Sequence, residues 1–385
     1  MKPERRVPFA AGFVFGGALG FVSVLWLGSL SDAGAISPKP LAPSAEAVVR
    51  KAEVPDIPDG VSRQGERRPV GIAAVGDIQL ARRVGQRIAE AGWASVFERV
   101  RPLLEGADIA FCNLESPAST LGLPYKGKDP TVTFRANPGA LFGLKRAGFD
   151  MVSIANNHAN DYGAAALAET LDSLDALGIA CSGAGASAAA ARKPAVIEVA
   201  GSKVALLSYA EPMWSVEEAD GKAGVALIRE PDIIADIASA RRRADFVIVS
   251  LHWGTEHEGI PREGDRALAR RLVDNGAAAI LGHHPHVLQG IEFHNGAPII
   301  YSMGNFVFDM ISARTYESAI TFFLLGDDSP ASVQLVPIRI DGESFAPDRA
   351  KGKEAAAIGK IIAERCAALG TKTKILPDGS VLAYQ

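Results

Sequence analysis

From Val70 onward, short apolar runs of strand length alternate with stretches of helical, amphipathic spacing. No other feature constrains the fold as much. The runs "VGIAAVGD", "IAFCNLE", "VTFRA", "MVSIAN", "AVIEVA", "KVALLSYA", "DFVIVSLHWG", "AAILGHH", "PIIYSMGN", "AITFFLL" and "SVQLVPIRI" predict strands. Between many of them the pattern predicts helices over Leu80–Leu104, Ala140–Ala147, Ala164–Leu177, Asp232–Ala244 and Asp265–Asn275. Alternation of this kind implies an α/β protein with helices covering the sheet faces. The last strands follow one another with few helices, so part of the sheet is expected to be antiparallel or mixed. A domain over 70–345 is expected, followed by a C-terminal helix (Lys353–Leu369) and tail over 346–385.

Polar residues cluster where the predicted strands end. "IAAVGD" ends at Asp77, and "IAFCNLE" at Asn113 and Glu115. "MVSIANNHAND" ends at Asn156, Asn157 and His158. "VIVSLHWGTEHE" ends at His252, with Glu256 and His257 beyond, and "AAILGHHPH" ends at His283, His284 and His286. In open α/β sheets ligands bind at the carboxyl ends of strands, so clusters far apart in sequence can converge in space. One Asp after a strand is more often a helix N-cap than a ligand. Five clusters in the same structural position are much harder to ascribe to coincidence.

The residue types fit a metal. The chain has 7 histidines, and three of them lie within "HHPH". Asp and Glu supply hard oxygens, Asn an amide oxygen and His a borderline nitrogen, a set that suits Zn²⁺, Mn²⁺ or Fe. So many ligands over-supply one ion, and two divalent ions sharing a bridging carboxylate fit better. His294, in the turn "EFHNGAP", reads as surface. The 3 cysteines (Cys112, Cys181, Cys366) contain no Cys-x-x-Cys pair, which argues against a thiolate zinc site.

The N-terminus reads differently. Basic "MKPERR" (1–6) precedes an uncharged apolar run over 7–30. At about 1.5 Å per residue this run spans a bilayer core of about 30 Å. It predicts a transmembrane anchor with its N-terminus inside; "AGA" at Ala33–Ala35 keeps a cleaved signal sequence open, and Arg5–Arg6 weakly suggests a twin-arginine signal. Each reading puts the domain on the extracytoplasmic side. The Pro- and Ala-rich stretch over 31–69 reads as a flexible linker. A net charge of −4 gives no reason to expect a nucleic-acid partner. There is no Gly-x-x-x-x-Gly-Lys-[Ser/Thr] loop for ATP and no Gly-x-Ser-x-Gly elbow, which disfavours a synthase acting alone and a serine hydrolase.

Together "AVGDI", "NLE", "ANNHANDYG", "HWGTEHE", "GHHPHVLQGIE" and "YSMGNFVFD" resemble the CapA family, named for poly-γ-glutamate capsule synthesis. That family resembles the calcineurin-like metallophosphoesterases, so the resemblance implies a two-sheet α/β sandwich flanked by helices. It also implies roles. Asp77 would ligate the first metal, Glu115 would bridge, and Asn157 would bind the second metal. His252, His284 and His286 would complete the ligands, and His158 would be the general acid or an electrostatic clamp on the leaving oxygen. His284 and His286 are preferred to His283 because a His-x-His pair on an extended segment points to one side. Asn113, Asn156, His283, Asn305 and Glu256 are supporting or substrate candidates, and Arg135 and Lys126 are candidates for an anionic substrate. Two positions depart from the classical pattern: Gln79 stands where a histidine usually follows the first Asp, and Glu115 where an Asp usually bridges.

The resemblance implies an extracytoplasmic, metal-dependent protein of capsule or envelope polymer synthesis, acting as a hydrolase or transferase. A periplasmic phosphatase or phosphodiesterase without a capsule role is one alternative. A non-enzymatic accessory subunit of a membrane synthase is another. The expected partners are an anionic polymer or phosphate-containing substrate, the membrane and, on the accessory reading, the synthase.

Overall fold

The computed structural model describes residues 68–213, 216, 218–219, 221–310, 312–326 and 332–385. The expected anchor over 7–30 and the linker up to residue 67 lie outside the described residues. Among the described residues, no helix is long and apolar enough to cross a membrane.

The strands, in chain order, are β1 (Val70–Ile78), β2 (Ile109–Leu114), β3 (Met151–Ser153), β4 (Ala180–Ser182), β5 (Ala184–Gly185), β6 (Ala195–Val199), β7 (Ser202–Ala210), β8 (Gly224–Val225), β9 (Phe246–His252), β10 (Ala279–His283), β11 (Ile291–His294), β12 (Ala297–Ile300), β13 (Asn305–Val307), β14 (Glu317–Leu325), β15 (Ser332–Ile340), β16 (Pro347–Arg349), β17 (Lys372–Ile375) and β18 (Val381–Tyr384). They form two large sheets and one small pair. The first sheet runs β17-β18-β15-β14-β1-β2-β3-β4, with β13 also on β1 and β16 on β15. The second runs β11-β12-β10-β9-β7-β6, and β5 pairs with β8. Within the first sheet β1 to β4 are parallel, whereas β14, β15, β17 and β18 are antiparallel, the mixed character expected of the late strands.

Side-chain alternation along the strands sorts the core into layers. Ile72, Ala74 and Phe111 of the first sheet face Leu206, Ile248 and Leu281 of the second, so the sheets pack face to face. Ala73, Val75, Ala110 and Cys112 point to the opposite side, against Val84, Phe97, Leu144 and Leu167 from the helices. On the far side of the second sheet, Leu207, Val249 and Ile280 pack with Ile233, Ile237, Ala269 and Leu272. The result is a two-sheet sandwich flanked by helices. Each fully buried Ile, Leu or Phe contributes about 1.5–3 kcal/mol relative to exposure.

Some elements differ from the sequence reading. The single helix expected over Leu80–Leu104 is three pieces: α1 (Arg82–Ala91), α2 (Ala94–Phe97) and α3 (Arg101–Leu104). Gly92, with φ of 79°, ends the first, and Pro102 starts a new turn rather than continuing an old one. "VTFRA" is no strand. A 3₁₀ turn covers Pro130–Val132, and only an isolated bridge links Ala118 to Ala136. Asp161 accepts the Phe134 amide at 2.7 Å, so a side chain takes that donor instead of a ladder. Pro347–Arg349 pairs with β15, while β18 pairs with β15 and β17, so the tail is woven into the first sheet.

Two glycines seat the strands that carry the site. A Cβ on Gly76 would lie 1.9 Å from the Gly304 carbonyl oxygen, and one on Gly282 would lie 1.9 Å from that of Tyr301. Only glycine permits these approaches, and each precedes a candidate site residue, Asp77 or His283.

Candidate metal centre

The expected strand ends do converge. Asp77 lies opposite Asn113 across β1 and β2, and opposite Asn305 across β1 and β13. His252 lies opposite His283 across β9 and β10. The sandwich thus brings an oxygen-rich rim of the first sheet against a histidine-rich rim of the second.

Asp77 is fully buried and bonded on every side. Its Oδ1 accepts from Asn113 Nδ2 at 2.9 Å and lies 3.0 Å from His283 Nδ1. Its Oδ2 accepts the His284 amide at 3.3 Å and lies 3.3 Å from His286 Nδ1. Burial by itself would raise this carboxyl; the bonds and charges of His283 and His286 outweigh it and hold Asp77 well below the ordinary range.

Glu115 contrasts with it. It is also fully buried, yet its Oε1 has no hydrogen-bond partner. Three ring nitrogens surround that oxygen without bonding it: His286 Nε2 at 3.7 Å, His158 Nε2 at 3.8 Å and His252 Nε2 at 3.9 Å. Burial, followed by the charge of Asp77, pushes the Glu115 carboxyl well above its usual value. An acceptor oxygen inside a ring of imidazole nitrogens is unstable for a protein alone and well suited to a cation.

The donor sets agree. Asp77, Glu115 and His252 each offer one ligand atom within 4.8 Å of the others, and so do Glu115, His284 and His286. Glu115 belongs to both triads, which is the placement a bridging carboxylate requires. Asn157 Oδ1 lies 2.9 Å from His252 Nε2, at the edge of the first triad. His284 Nδ1 is another buried atom without a partner. Burial, then His286, lowers His284 to about 3, and burial, then His284, lowers His252 well below its usual value. Both rings are therefore neutral at neutral pH, the form that binds metal. His286 moves the other way: burial opposes it, but the Asp77 carboxylate raises it.

The reason given for preferring His284 and His286 does not hold. Neither is extended: φ is 96° at His284 and 56° at His286. The chain turns sharply around Pro285, and this turn brings the two rings to 5.8 Å of each other. His283 instead bonds Asp77 and packs on Phe111 at 5.6 Å.

The amides act as scaffolding. Asn156 Nδ2 donates to Asn113 Oδ1 at 3.1 Å and to the Leu114 carbonyl at 2.8 Å, tying β3 to β2. Asn305 Oδ1 lies 2.9 Å from His286 Nδ1. Glu256 is exposed, 3.9 Å from His257, and acts on Glu115 and His286 through its charge. His294 pairs with Asp274 at 2.7 Å, away from the cluster.

Both anion candidates, Lys126 and Arg135, are exposed. Arg135 lies over the Tyr162 ring at 4.2 Å with its guanidinium on the Leu121 carbonyl. The buried cation is Lys128, which the sequence reading missed. Its Nζ pairs with Asp161 and donates to the Asn157 carbonyl at 3.1 Å. It lies 3.2 Å from His158 Nδ1, while Asp161 Oδ2 is closer at 2.8 Å. The shorter contact makes Nδ1 a donor to Asp161 and leaves Nε2 facing Glu115. Phe134 stacks on the His158 ring at 4.0 Å, fixing its plane. Burial lowers His158 to about 4, against the pull of Asp161. The spacing of His158 and Asp161 within "NNHANDYG" was a readable signal for this pair; Lys128, thirty residues upstream in a loop, offered none.

The chain matches the family described as "Bacterial capsule synthesis protein PGA_cap" over residues 71–310. It is 35% identical over 275 residues to the PGA biosynthesis protein CapA of Bacillus subtilis (strain 168), covering 71% of this chain and 72% of that protein. It is 32% identical over 288 residues to the capsule biosynthesis protein CapA of Bacillus anthracis, covering 73% and 70%. Among solved structures it is similar to a 5'-nucleotidase precursor from Thermus thermophilus, with 16% identity and a TM-score of 0.38. That match covers 73% of this chain and 54% of the nucleotidase, so the chain spans about half the nucleotidase's length.

Proposed function

Because the chain belongs to the bacterial capsule synthesis protein family, we propose that it is a metal-dependent hydrolase or transferase of poly-γ-glutamate-type polymer synthesis, anchored in the membrane with its domain on the extracytoplasmic side. One observation carries the metal dependence: the buried, unpartnered Glu115 Oε1, common to two ligand triads. Two divalent ions would be held by Asp77, Glu115 and His252, with Asn157 beside them, and by Glu115, His284 and His286. When bound, they would supply Lewis acidity and a water that ionises near neutral pH.

The chain's own residues set the rest of the chemistry. His283 and His286 hold Asp77 in its charged form, and Asn113 bonds its Oδ1, so it is ready to ligate. Asp161 fixes the His158 tautomer through Nδ1, so a proton is given or taken at Nε2, the atom that faces Glu115. Lys128 balances the Asp161 charge and pins the Asn157 backbone. The substrate class is an anionic polymer or a phosphate-containing compound.

The test is elemental analysis of the full-length protein beside Glu115→Ala and His284→Ala, followed by assays on γ-linked glutamate oligomers and on generic phosphate esters. Metal near two equivalents per chain, reduced in both variants, with cleavage or transfer of the oligomers, supports the proposal. Cleavage of phosphate esters alone would make the protein a phosphatase. No metal under any loading condition would leave an accessory subunit of a membrane synthase as the better reading.

A further inference from the structure

Gln79 is a buried polar group that the metal centre leaves over. It is fully enclosed, and its Nε2 has no hydrogen-bond partner. Its Oε1 accepts the Ala81 amide at 3.1 Å. A backbone N–H needs an acceptor, so this contact fixes the orientation of the side-chain amide: the oxygen is committed and the N–H group is left over.

The strand register places that group. Ile78 and Leu80 lie in the core under the helices, so Gln79, between them, is on the Asp77 side of the strand. Ile78 pairs with Leu114, and the Glu115 amide donates to the Ile78 carbonyl at 2.8 Å. Just past the strand end the Leu80 amide donates to Ser116 Oγ at 3.2 Å, so Gln79 and Glu115 run alongside each other between these two contacts. Neighbouring positions thus carry a buried donor without an acceptor and a buried acceptor without a donor, and the two are not bonded to each other. A cation satisfies Glu115 Oε1 but cannot satisfy an N–H group. That group needs an acceptor, and an oxygen of an anion bound at the centre would supply one.

We propose that Gln79 is a specificity-determining hydrogen-bond donor for an oxyanion, phosphoryl or carboxylate, held at this centre, and that it is not an ion ligand. The inference rests on the metal-centre reading above. It accounts for the departure at this position: a histidine there would add a ligand, whereas this glutamine presents a donor to the ligand of the ions.

The experiment is titration calorimetry of the metal-loaded full-length protein with inorganic phosphate and, separately, with γ-glutamylglutamate, beside metal analysis of each sample. Gln79→Glu keeps the shape and an acceptor for Ala81 but replaces the N–H group with oxygen. Gln79→Met keeps the length and removes both polar atoms. The expected result is wild-type metal content in both variants, with affinity for the accepted anion about tenfold weaker or more, and weakest in Gln79→Glu. A loss confined to phosphate identifies a phosphoryl group, and a loss confined to the dipeptide a carboxylate. If Gln79→Met does not fold, Gln79→Glu carries the comparison alone, since it retains the Ala81 contact. Unchanged affinity in the variants, no binding of either anion by the metal-loaded wild type, or lost metal in Gln79→Met each overturns the assignment. Absence of metal from the wild type overturns the metal-centre reading, and this inference with it.

Discussion

The two rims that meet at the site are held in different ways. On the first sheet, Asp77, Asn113 and Asn156 sit on strands or just past them, and side-chain amides fix them at 2.8–3.1 Å. On the second sheet, the backbone does the fixing. His284 and His286 flank Pro285 with positive φ, and the rings crowd one another, His252 and His284 with centroids 4.9 Å apart. The second rim thus adds backbone conformation to hydrogen bonding, since His286 Nδ1 also lies 2.9 Å from Asn305 Oδ1 and His252 Nε2 lies 2.9 Å from Asn157 Oδ1. Asp77 crosses between the rims, while Glu115 reaches the second rim without bonding it. Both carboxylates belong to the ligand triads, but Asp77 is also tied into the fold, whereas Glu115 Oε1 has no partner in it.

The largest effect expected from breaking this contrast is at Asp77. Asp77→Ala leaves His283 and His286 without their buried partner and should cost about 3–5 kcal/mol in unfolding free energy, read by denaturant titration of the metal-free protein. Glu115→Gln should behave oppositely. Its metal-free stability should be equal to the wild type or higher, since an uncompensated buried carboxyl is gone. Its metal content should fall to near zero, because both triads lose a member. A destabilised metal-free Glu115→Gln would show that the two carboxylates do the same work.

The pH dependence sharpens the point. Asp77 is depressed in the folded state, so its contribution is present above the ordinary carboxylate range of about 4 and lost as pH falls through its folded value. Glu115 is raised, so its contribution is present in acid and lost as pH rises through its folded value. In unfolding of the metal-free protein across pH, the stability gained by Glu115→Gln should therefore grow toward alkaline pH. The stability lost by Asp77→Asn should shrink in acid. Parallel profiles would contradict the assignment.

His158 lies on neither side of the contrast. His158→Ala should keep its metal and lose about 10²–10⁴-fold in turnover, measured on whichever substrate the screen identifies. Retained metal with unchanged rate would remove it from proton transfer. The smallest effect is at Arg135, whose exposed guanidinium over Tyr162 is worth about 0.5–1 kcal/mol, so Arg135→Ala should barely shift the unfolding midpoint.

How much of this was legible in the sequence depended on the range of the forces involved. The strand ends were readable because short apolar runs terminate abruptly at Asp77, Glu115, Asn157, His252 and His283, and the sandwich brings all five together. The turn at Pro285 was misread because alternation assumes an extended chain, and the φ values of His284 and His286 are fixed by contacts far away in sequence. Lys128 was invisible for the same reason: a lysine in a Gly- and Pro-rich loop looks solvated until Asp161 is known to lie beside it. The breaks at Gly92 and Pro102 were within reach of local rules, and the apolar periodicity hid them.

The sequence distance between the donors bears on how the molecule matures. Asp77 and Glu115 come early in the chain, His284 and His286 much later, and each triad needs both sheets docked. A ribosome-bound chain ending before His252 can present neither triad. On the metal-centre proposal, ion capture is therefore an event of the finished fold, because each triad is complete only once both sheets are in place.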